Sequence, residues 1–356
     1  MITKIKNILG NKSHNRKTKI ICTIGPACSS EGQLKKLIEE GMDFARFNFS
    51  HGNIEEFRSW TKTIRALSKK TGRKVEIIQD LQGPRVRIGK LAHEGKQIDI
   101  GEKLTLIFGE IDHPKSKEIP IQSDIDIEIK KGDMILMDNG LVELEVKKVD
   151  GPKITCHAIT AGVLFSRKGV NFPNSDTKTP FTPKDLEDLE AGLQMGVDWV
   201  ALSFVEGKED IISLREKVGD RAKIIAKIER PQAIKNYEEI LDVVDAIMVA
   251  RGDLGIEIPF WKLPVIQKRS IRRAINAGKP SIVATDMMAS MVLAQRPTRA
   301  EILDIANAVL DGASAVMLSN ETAVGKYPID TVRAMRKIVE ETEHFAKGQT
   351  LSSLLE

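Results

Sequence analysis

The sequence predicts an α/β fold, namely a closed (β/α)₈ TIM barrel with a small all-β domain inserted into it. Eight apolar, strand-like runs recur along the chain, and helix-like segments lie between most of them. Eight strands that alternate with helices favour a closed parallel barrel. Between about residues 89 and 171 this alternation gives way to short strands of period two, which predicts the insertion.

The eight predicted barrel strands are apolar along much of their length, as strands covered on both faces are. They are KIICTIG (19–25), FARFNFS (44–50), VEIIQDL (75–81), WVALSFV (199–205), KIIAKIE (223–229), AIMVARGD (246–253), PSIVATD (280–286) and AVMLSNE (315–321). A doubly wound open sheet is the alternative fold. No G-x-G-x-x-G follows the first run, which argues against a dinucleotide-binding version of that sheet.

The helix-like segments carry end signals of their own. Thr182, followed by proline, is typical of a helix N-cap with proline at the first position. Glycine ends several segments, as at Gly41 and Gly196.

The insertion shows hairpin-turn signals at Asn139-Gly140 and Asp150-Gly151. Because it follows the third strand, it would extend a loop over the carboxyl face of the barrel and act as a lid. The predicted division is a tail at 1–17, the barrel at 18–88 and 172–346, the lid domain at 89–171 and a tail at 347–356.

Composition excludes several classes of protein. The 356 residues are 41% hydrophobic, which argues against global disorder, and a net charge of +4 does not suggest a nucleic-acid partner. The three cysteines lack metal-ligand spacing, so we expect free thiols in a reducing compartment. The first 17 residues hold no apolar stretch that predicts a signal peptide or membrane span. The sequence therefore predicts a soluble cytoplasmic protein.

Polar residues follow six of the predicted strands, at the end where barrels carry their catalytic groups. Such residues at one strand end would be weak evidence, and a structural ion pair would by itself explain Lys227 and Glu229. Six strand ends together predict one site. The residues are Arg46, Asn48, Ser50, His51, Asp80, Arg85, Arg87, Lys227, Glu229, Arg251, Gly252, Asp253, Thr285, Asp286, Ser319, Asn320 and Glu321.

The types of these residues indicate the chemistry. Glu229 and Asp253 come from neighbouring runs, and a small number of hard oxygen ligands suits Mg²⁺ or Mn²⁺. Arg46 and Arg87 could bind phosphate or carboxylate oxygens in bidentate fashion. With Lys227, this set predicts phosphoryl transfer or enolate stabilisation. The stretch GPRVRIGKL (83–91) is not a P-loop, because five residues separate its glycines and leucine follows the lysine.

Long stretches of the chain resemble the pyruvate kinase family, in the order in which that family has them. They are TKIICTIGPACSS, GMDFARFNFSHG, KGVNFP, IIAKIERPQ, IMVARGDLGIEIP and RPTRAEILDIANAVLDGASAVMLSNETA, between about Thr18 and Phe345. The resemblance implies a TIM barrel with a lid, and transfer of the phosphoryl group of phosphoenolpyruvate to ADP in glycolysis, which gives pyruvate and ATP.

The resemblance also implies roles for single residues. Lys227 would stabilise the transferring phosphoryl group and the enolate oxygen, and Glu229 and Asp253 would hold Mg²⁺ or Mn²⁺. Arg46 would bind the substrate phosphate, and the substrate carboxylate would be bound by Gly252, Asp253 and Thr285. Thr285 and Ser319 would lie near the place where the enolate is protonated. The nucleotide or the transferred phosphate would be contacted by Asn48, His51, Arg87 and Lys168, and a potassium site would lie at Asn48, Ser50 and Asp80.

The chain departs from the family pattern at three places. Where potassium-dependent members read Asp-Thr-Lys-Gly-Pro-Glu, this chain has leucine after Asp80 and ends the motif with Arg85. A fixed guanidinium could replace the cation, so we expect activity without K⁺. Asp286 replaces a glutamine and would weaken anion binding, and Asn320 replaces a glycine that could need a positive φ.

Two alternative functions stay open. One, which the departures at Asp286 and Asn320 suggest, is a catalytically weakened relative with a regulatory or binding role. The other, which would use the same paired carboxylates and an arginine, is a Mg²⁺-dependent lyase acting on the pyruvate enolate. Lys227, Lys168 and the lid favour the kinase. The sequence ends at Glu356, so we expect a short form without the family's carboxyl-terminal effector domain. A homodimer contact through the barrel could persist in RPTRAE and MMASMVLAQ.

Overall fold

The computed structural model describes residues 16–93, 95–109, 111, 114–123, 127–175 and 181–346. The predicted tails at 1–17 and 347–356 lie outside this part of the chain, except for residues 16 and 17. No helix within the described part is long and apolar enough to cross a membrane.

Eight parallel strands of the described chain form a closed barrel, which confirms the predicted fold. Each of the eight predicted runs contributes one strand. They are β1 (Lys19–Thr23), β2 (Phe44–Asn48), β3 (Glu76–Asp80), β13 (Trp199–Leu202), β14 (Lys223–Ile228), β15 (Ala246–Ala250), β16 (Ser281–Ala284) and β17 (Ala315–Leu318), with β4 to β12 in the insertion. Around the barrel the order is β1, β17, β16, β15, β14, β13, β3, β2.

Helices cover the outside of this barrel. They are α1 (Glu31–Glu40), α2 (Ile54–Thr71), α3 (Pro183–Met195), α4 (Lys208–Val218), α5 (Pro231–Lys235), α6 (Tyr237–Val243), α7 (Arg251–Glu257), α8 (Leu263–Asn276), α9 (Arg299–Leu310), α10 (Asn320–Ala323) and α11 (Pro328–Phe345). The predicted end signals are confirmed: Thr182 accepts a hydrogen bond from the Asp185 backbone amide, and Gly41 and Gly196 end their helices in the left-handed region. Two short 3₁₀ helices span Phe260–Lys262 and Ala289–Val292.

The insertion forms a second, smaller closed barrel and a two-stranded sheet. Its strands are β4 (Val86–Ile88), β5 (Lys96–Ile98), β6 (Lys103–Phe108), β7 (Glu118–Gln122), β8 (Met134–Met137), β9 (Val142–Asp150), β10 (Lys153–Ala158), β11 (Gly162–Leu164) and β12 (Gly169–Asn171). The small barrel follows the order β10, β6, β7, β4, β12, β8, β9, and β11 pairs with β5.

The predicted start of the insertion at residue 89 is too late. Strand β4 pairs with β12 and β7, so Val86–Ile88 belongs to the small barrel. The physical reason is the side-chain pattern, because Val86 and Ile88 are buried while Arg87 between them is partly exposed. Such alternation is typical of a strand with one solvated face.

The interior of the large barrel has an apolar layer, and a separate polar layer at the carboxyl ends of the strands. Apolar side chains from all eight strands, among them Phe44, Ile78, Trp199 and Met248, form one buried cluster inside the barrel. The acidic and basic side chains described next lie at the carboxyl ends of the strands. The apolar layer therefore supports a polar floor at the carboxyl ends of the strands.

Candidate active site

A chain of buried charges joins the carboxyl ends of β2, β3 and β14. Nε of Arg46 donates to Oδ2 of Asp80 at 2.6 Å. The ammonium of Lys227 lies 3.2 Å from Oδ1 of Asp80 and 3.0 Å from Oε1 of Glu229. All four side chains are buried. The structure therefore brings four sequence-predicted residues into direct contact.

Sequence reasoning missed Ser203, which follows β13 and connects these buried charges to the end of β3. Its hydroxyl accepts a hydrogen bond from Nζ of Lys227 at 2.8 Å and donates to the carbonyl oxygen of Leu81 at 2.6 Å. The next residue, Phe204, has a φ of 56° and donates its backbone N–H to Oε2 of Glu229 at 2.8 Å. The sequence did contain a signal for this residue, because Ser203 is a polar residue at the end of a barrel strand, like the polar residues at the six strand ends that predicted the site.

The charges of this chain shift one another's pKa values. Burial alone would raise the pKa of Asp80, but Lys227 and Arg46 outweigh it, and the pKa lies below its usual value. Burial likewise opposes the charge of Lys227, yet Asp80 and Glu229 raise its pKa. Burial raises the pKa of Glu229 to about 7, against the effect of Lys227 and with a further contribution from Asp253. The floor therefore holds a protonated lysine. Arg46 and Lys227 balance Asp80 and Glu229 when all four are ionised, and Asp253 adds a further negative charge beside Glu229.

Asp253 is the second candidate metal ligand, and it lies in the first turn of α7. Its charge raises the pKa of Glu229, so the two carboxylates interact. Nη2 of Arg85 lies 3.8 Å from Oδ1 of Asp253. Within the described residues no cluster of three or more His, Cys, Asp or Glu side chains has metal-binding geometry. The donor set fits a hard divalent cation that takes two protein carboxylates and completes its shell with other oxygens.

The predicted carboxylate-binding group is assembled from β15 and β16. The Gly252 backbone N–H donates to Oγ1 of Thr285 at 2.7 Å. Thr285 has a φ of 71°, a conformation that is strained for a β-branched residue. Nη2 of Arg251 donates to the Thr285 carbonyl oxygen at 2.6 Å, and Nη1 of Arg251 donates to Asp304 at 2.7 Å. Arg251 therefore supports the strained threonine, a role that the sequence did not indicate.

Asp286 and Asn320, which depart from the family pattern after β16 and β17, lie at the rim of the barrel. Asp286 has a φ of 54°, which an aspartate tolerates, and its side chain is exposed. Asn320 is exposed and does not have a positive φ, since it begins α10. The expected need for a special backbone angle at position 320 is therefore wrong. Ser319 donates its backbone N–H to Oε2 of Glu321 at 2.7 Å, which orders this loop.

Two of the four predicted nucleotide residues, Arg87 and Lys168, line a cleft between the lid and the barrel. The cleft has a volume of about 230 Å³. Arg85, Asp253, Arg230 and Glu257 also line it, whereas Asn48, His51 and Lys227 do not. Nζ of Lys168 lies 2.9 Å from Oδ1 of Asp138, which is buried in the lid.

Positive charge is concentrated at the entrance to this cleft. Partial burial and the neighbouring charge of Arg85 lower the pKa of Arg87. Partial burial and the charges of Arg85 and Arg87 also lower the pKa of His51. Uncompensated positive charge of this kind favours an anionic ligand.

The predicted potassium-site residues are neighbours, but Arg85 is not bonded to them. Asn48 and Asp80 are paired across β2 and β3, and Oδ1 of Asn48 accepts from the Ser50 backbone N–H at 3.2 Å. The carboxylate of Asp80 is bonded to Arg46 and Lys227. Arg85 instead lies near Asp253.

Comparisons with known proteins show which family this chain is similar to. The family model "Pyruvate kinase, barrel domain" matches residues 15–332. A pyruvate kinase of Thermococcus litoralis is 42% identical over 345 residues, which are 96% of this chain and 72% of the relative. A pyruvate kinase of Agrobacterium vitis is 46% identical over 332 residues, 92% of this chain and 70% of the relative. The crystal structure of a pyruvate kinase from Cryptosporidium parvum superimposes with a TM-score of 0.87 at 35% identity, covering 95% of this chain and 71% of that one.

Proposed function

We propose residue roles from one premise, namely that the chain belongs to the pyruvate kinase family and is a phosphotransferase of that family. The reaction transfers the phosphoryl group of phosphoenolpyruvate to ADP and yields pyruvate and ATP. The observation that carries the proposal is the position of the Lys227 ammonium, between the buried carboxylates of Asp80 and Glu229. A fixed positive charge there can stabilise negative charge that develops on the enolate oxygen and the transferring phosphoryl group.

Family membership implies a divalent metal requirement, and we assign it to Mg²⁺ or Mn²⁺ held by Glu229 and Asp253. Bound there, the ion would neutralise phosphoryl and enolate oxygens as a Lewis acid. The raised pKa of Glu229 and its interaction with Asp253 support this assignment, because two mutually repelling carboxylates at a buried floor favour a cation. Water and substrate oxygens would complete the ligand shell.

The substrate would lie on the floor between β2 and β16. Arg46 would bind its phosphate, since the guanidinium offers donors beyond those given to Asp80 and Thr23. The backbone amides of Gly252 and Asp253, with the Thr285 hydroxyl, would bind its carboxylate. The hydroxyls of Thr285 and Ser319 would lie near the enolate carbon that takes up the proton.

The nucleotide would bind in the cleft under the lid. Arg87 and Lys168 would contact its phosphates from the lid, and Asn48 and His51 would approach from the barrel. The concentration of positive charge around Arg87 supports this role. Closure of the lid would exclude water while the phosphoryl group moves.

We propose that K⁺ is not required, although Arg85 does not occupy the predicted potassium site. Two cations already neutralise Asp80, which is the charged member of that site. The guanidinium of Arg85 adds a third positive charge nearby, beside Asp253. A monovalent cation would therefore meet little uncompensated negative charge.

We also propose a homodimer that acts in the cytoplasm, without nucleic-acid or membrane partners. The methionines of MMASMVLAQ cannot form the contact, because Met287, Met288 and Met291 are fully buried. A better candidate is the exposed apolar surface of Phe260, Trp261 and Val265, at the start of α8. Three buried thiols suit a reducing compartment.

A coupled assay of pyruvate formation from phosphoenolpyruvate and ADP tests the proposal. We expect turnover with Mg²⁺ or Mn²⁺, and none with a chelator. Thermal stabilisation by phosphoenolpyruvate only in the presence of the metal would support the assigned floor. Absence of turnover with every cation would favour the weakened, ligand-binding relative.

A further inference from the structure

Arg230 follows the candidate metal ligand Glu229 and lies where the lid returns to the barrel. Its guanidinium is 4% exposed. Nη2 donates to the carbonyl oxygens of Phe172 at 2.8 Å and Ser175 at 2.6 Å. These carbonyls belong to the segment 172–175, which directly follows the last lid strand, β12, and is called the exit hinge below.

The same guanidinium contacts the helix that carries Asp253. Its Nε lies 3.4 Å from Oε2 of Glu257, the last residue of α7, and its Nη1 is paired with Glu206. Glu257 is in turn bonded to the lid, because Nδ2 of Asn171 in β12 donates to its Oε1 at 3.0 Å. Arg230 and Glu257 therefore join the lid, the end of β14 and helix α7 in one buried network.

A planar guanidinium suits this position better than an ammonium. It presents five donors in a fixed fork, and Arg230 directs them to two backbone carbonyls and two carboxylates. Burial raises the pKa of Glu257, and Arg230 opposes that shift. The network is consequently satisfied only when the exit hinge occupies the position seen here, because a displaced hinge would leave buried donors of Arg230 without their carbonyls.

We propose that Arg230 is a positioning residue that fixes the exit hinge against the segment carrying Glu229 and against helix α7, and so sets how readily the lid closes on the nucleotide. The inference rests on the proposed function, in which Arg87 and Lys168 of the lid bind ADP. In the position seen here, Arg87 and Lys168 of the lid line one cleft with Asp253 of helix α7. If the hinge loses its anchor, this arrangement becomes a smaller fraction of the free enzyme. The apparent affinity for ADP then falls by that fraction, while saturating ADP restores the arrangement.

The test is the variant Arg230→Lys, which keeps the charge and removes the fork. We expect KM for ADP to rise about fivefold or more while kcat at saturating ADP stays within about twofold. Stabilisation by phosphoenolpyruvate with Mg²⁺ should persist, since the floor groups are unchanged. Asn171→Ala, which breaks the second contact between the lid and α7, should raise KM for ADP as well and serves if Arg230→Lys does not fold.

The matched control is Arg16→Lys. Arg16 is also buried and donates to the Gly41 carbonyl at 2.7 Å and to Asp43 at 3.1 Å, but it lies at the amino end of β1, away from the lid. It should lower the melting temperature without changing KM for ADP. An equal KM in the Arg16→Lys, Arg230→Lys and Asn171→Ala proteins would overturn the inference.

A variant of the lid itself separates the inference from its premise. Lys168→Ala should raise KM for ADP if the lid binds the nucleotide as proposed. If Lys168→Ala has no effect, the proposed nucleotide site is wrong and the inference fails with it. If Lys168→Ala raises KM for ADP while Arg230→Lys and Asn171→Ala do not, the nucleotide site stands and the inference alone fails.

Discussion

Nζ of Lys227 lies 3.0 Å from Oε1 of Glu229, two residues further along the chain, and both side chains are buried. An isolated ion pair at such a place would contribute little stability, because desolvation of two charges offsets most of their attraction. This pair continues to Asp80 and Arg46 on one side and interacts with Asp253 on the other. This arrangement of basic and acidic side chains is better explained by a ligand with negatively charged oxygens that binds together with a cation. The basic side chains would meet the oxygens, and the carboxylates would meet the cation.

Replacing Lys227 by methionine tests the charge at the centre of this chain. We expect kcat to fall about 10³-fold, because a fixed positive charge aimed at developing negative charge is lost while the side-chain volume is kept. The melting temperature should also fall, since Asp80 and Glu229 lose a buried partner. Stabilisation by phosphoenolpyruvate with Mg²⁺ in a thermal-shift assay would show that the floor still folds. Activity close to that of the parent would remove Lys227 from the mechanism.

The variant Glu229→Gln tests the metal assignment. The amide oxygen can still accept the Phe204 backbone N–H, which now donates to Oε2 at 2.8 Å, so the local fold should persist. We expect the Mg²⁺ concentration for half-maximal activity to rise about 100-fold or more. The melting temperature without metal should fall only modestly, because Lys227 loses the Glu229 carboxylate but keeps Asp80 as a buried partner.

A surface variant provides the control for the metal experiment. Glu239→Gln removes a carboxylate that is 59% exposed and is paired with Lys208. It should leave the Mg²⁺ dependence unchanged. If Glu229→Gln behaves like this control, the metal lies elsewhere.

Most of the barrel could be predicted because each strand is recognisable from its own apolar residues. Apolar runs such as KIIAKI and AIMVA are buried at nearly every position, and the helices between them begin and end at standard caps. The two-residue spacing of Lys227 and Glu229 at the end of one predicted run also indicated that they share a face. These features depend on residues close together in sequence.

The features that could not be predicted depend on partners far apart in sequence. Arg230 precedes a proline and resembles the start of a helix, yet its carbonyl partners lie 58 and 55 residues earlier in the chain. Ser203 matters because Lys227 donates to its hydroxyl from the neighbouring strand and because that hydroxyl donates to the Leu81 carbonyl oxygen, 122 residues earlier in the chain. Strand β4 is three residues long, and only its pairing assigns it to the lid.

The proposal that K⁺ is not required predicts that the parent enzyme and the variant Arg85→Glu differ in how their activity depends on K⁺. The parent enzyme should show kcat/KM within about twofold in K⁺ and in Na⁺, because the Arg85 guanidinium already supplies a fixed positive charge beside Asp253. Arg85→Glu adds negative charge beside Asp253 and removes a nearby cation, so its activity should become dependent on K⁺. Steady-state rates at constant ionic strength measure both. Strong activation of the parent by K⁺ would contradict the proposal.

The thiols should react only at high pH or after unfolding. Burial raises the pKa of Cys28 to about 11 and that of Cys156 to about 12, well above the ordinary value of a thiol. A raised pKa means less thiolate at a given pH, so at pH 8 about one Cys28 thiol in 10³ would be ionised, compared with roughly one in four at the ordinary thiol pKa of about 8.5. Mass spectrometry after brief alkylation at pH 8 should find both cysteines unmodified. Rapid labelling of the native protein would contradict their burial.

The apolar surface beside α8 should mediate self-association. Phe260 and Trp261 are 75% and 66% exposed, and their rings contact each other with centroids 5.1 Å apart. Val265 extends the same surface by one helical turn at 53% exposure. Large aromatic side chains that remain this exposed are typical of contacts with another chain. Trp261→Asp should therefore convert a dimer to a monomer in size-exclusion chromatography with light scattering.

A substitution on the lid separates a specific contact from general surface hydrophobicity. Leu141 is 65% exposed at the start of β9, outside the proposed contact, so Leu141→Asp should leave the dimer intact. Both variants should retain the melting temperature of the parent monomer, because neither side chain contributes to the core. A parent that remains monomeric at every concentration, or a dimer unaffected by Trp261→Asp, would exclude this surface as the contact.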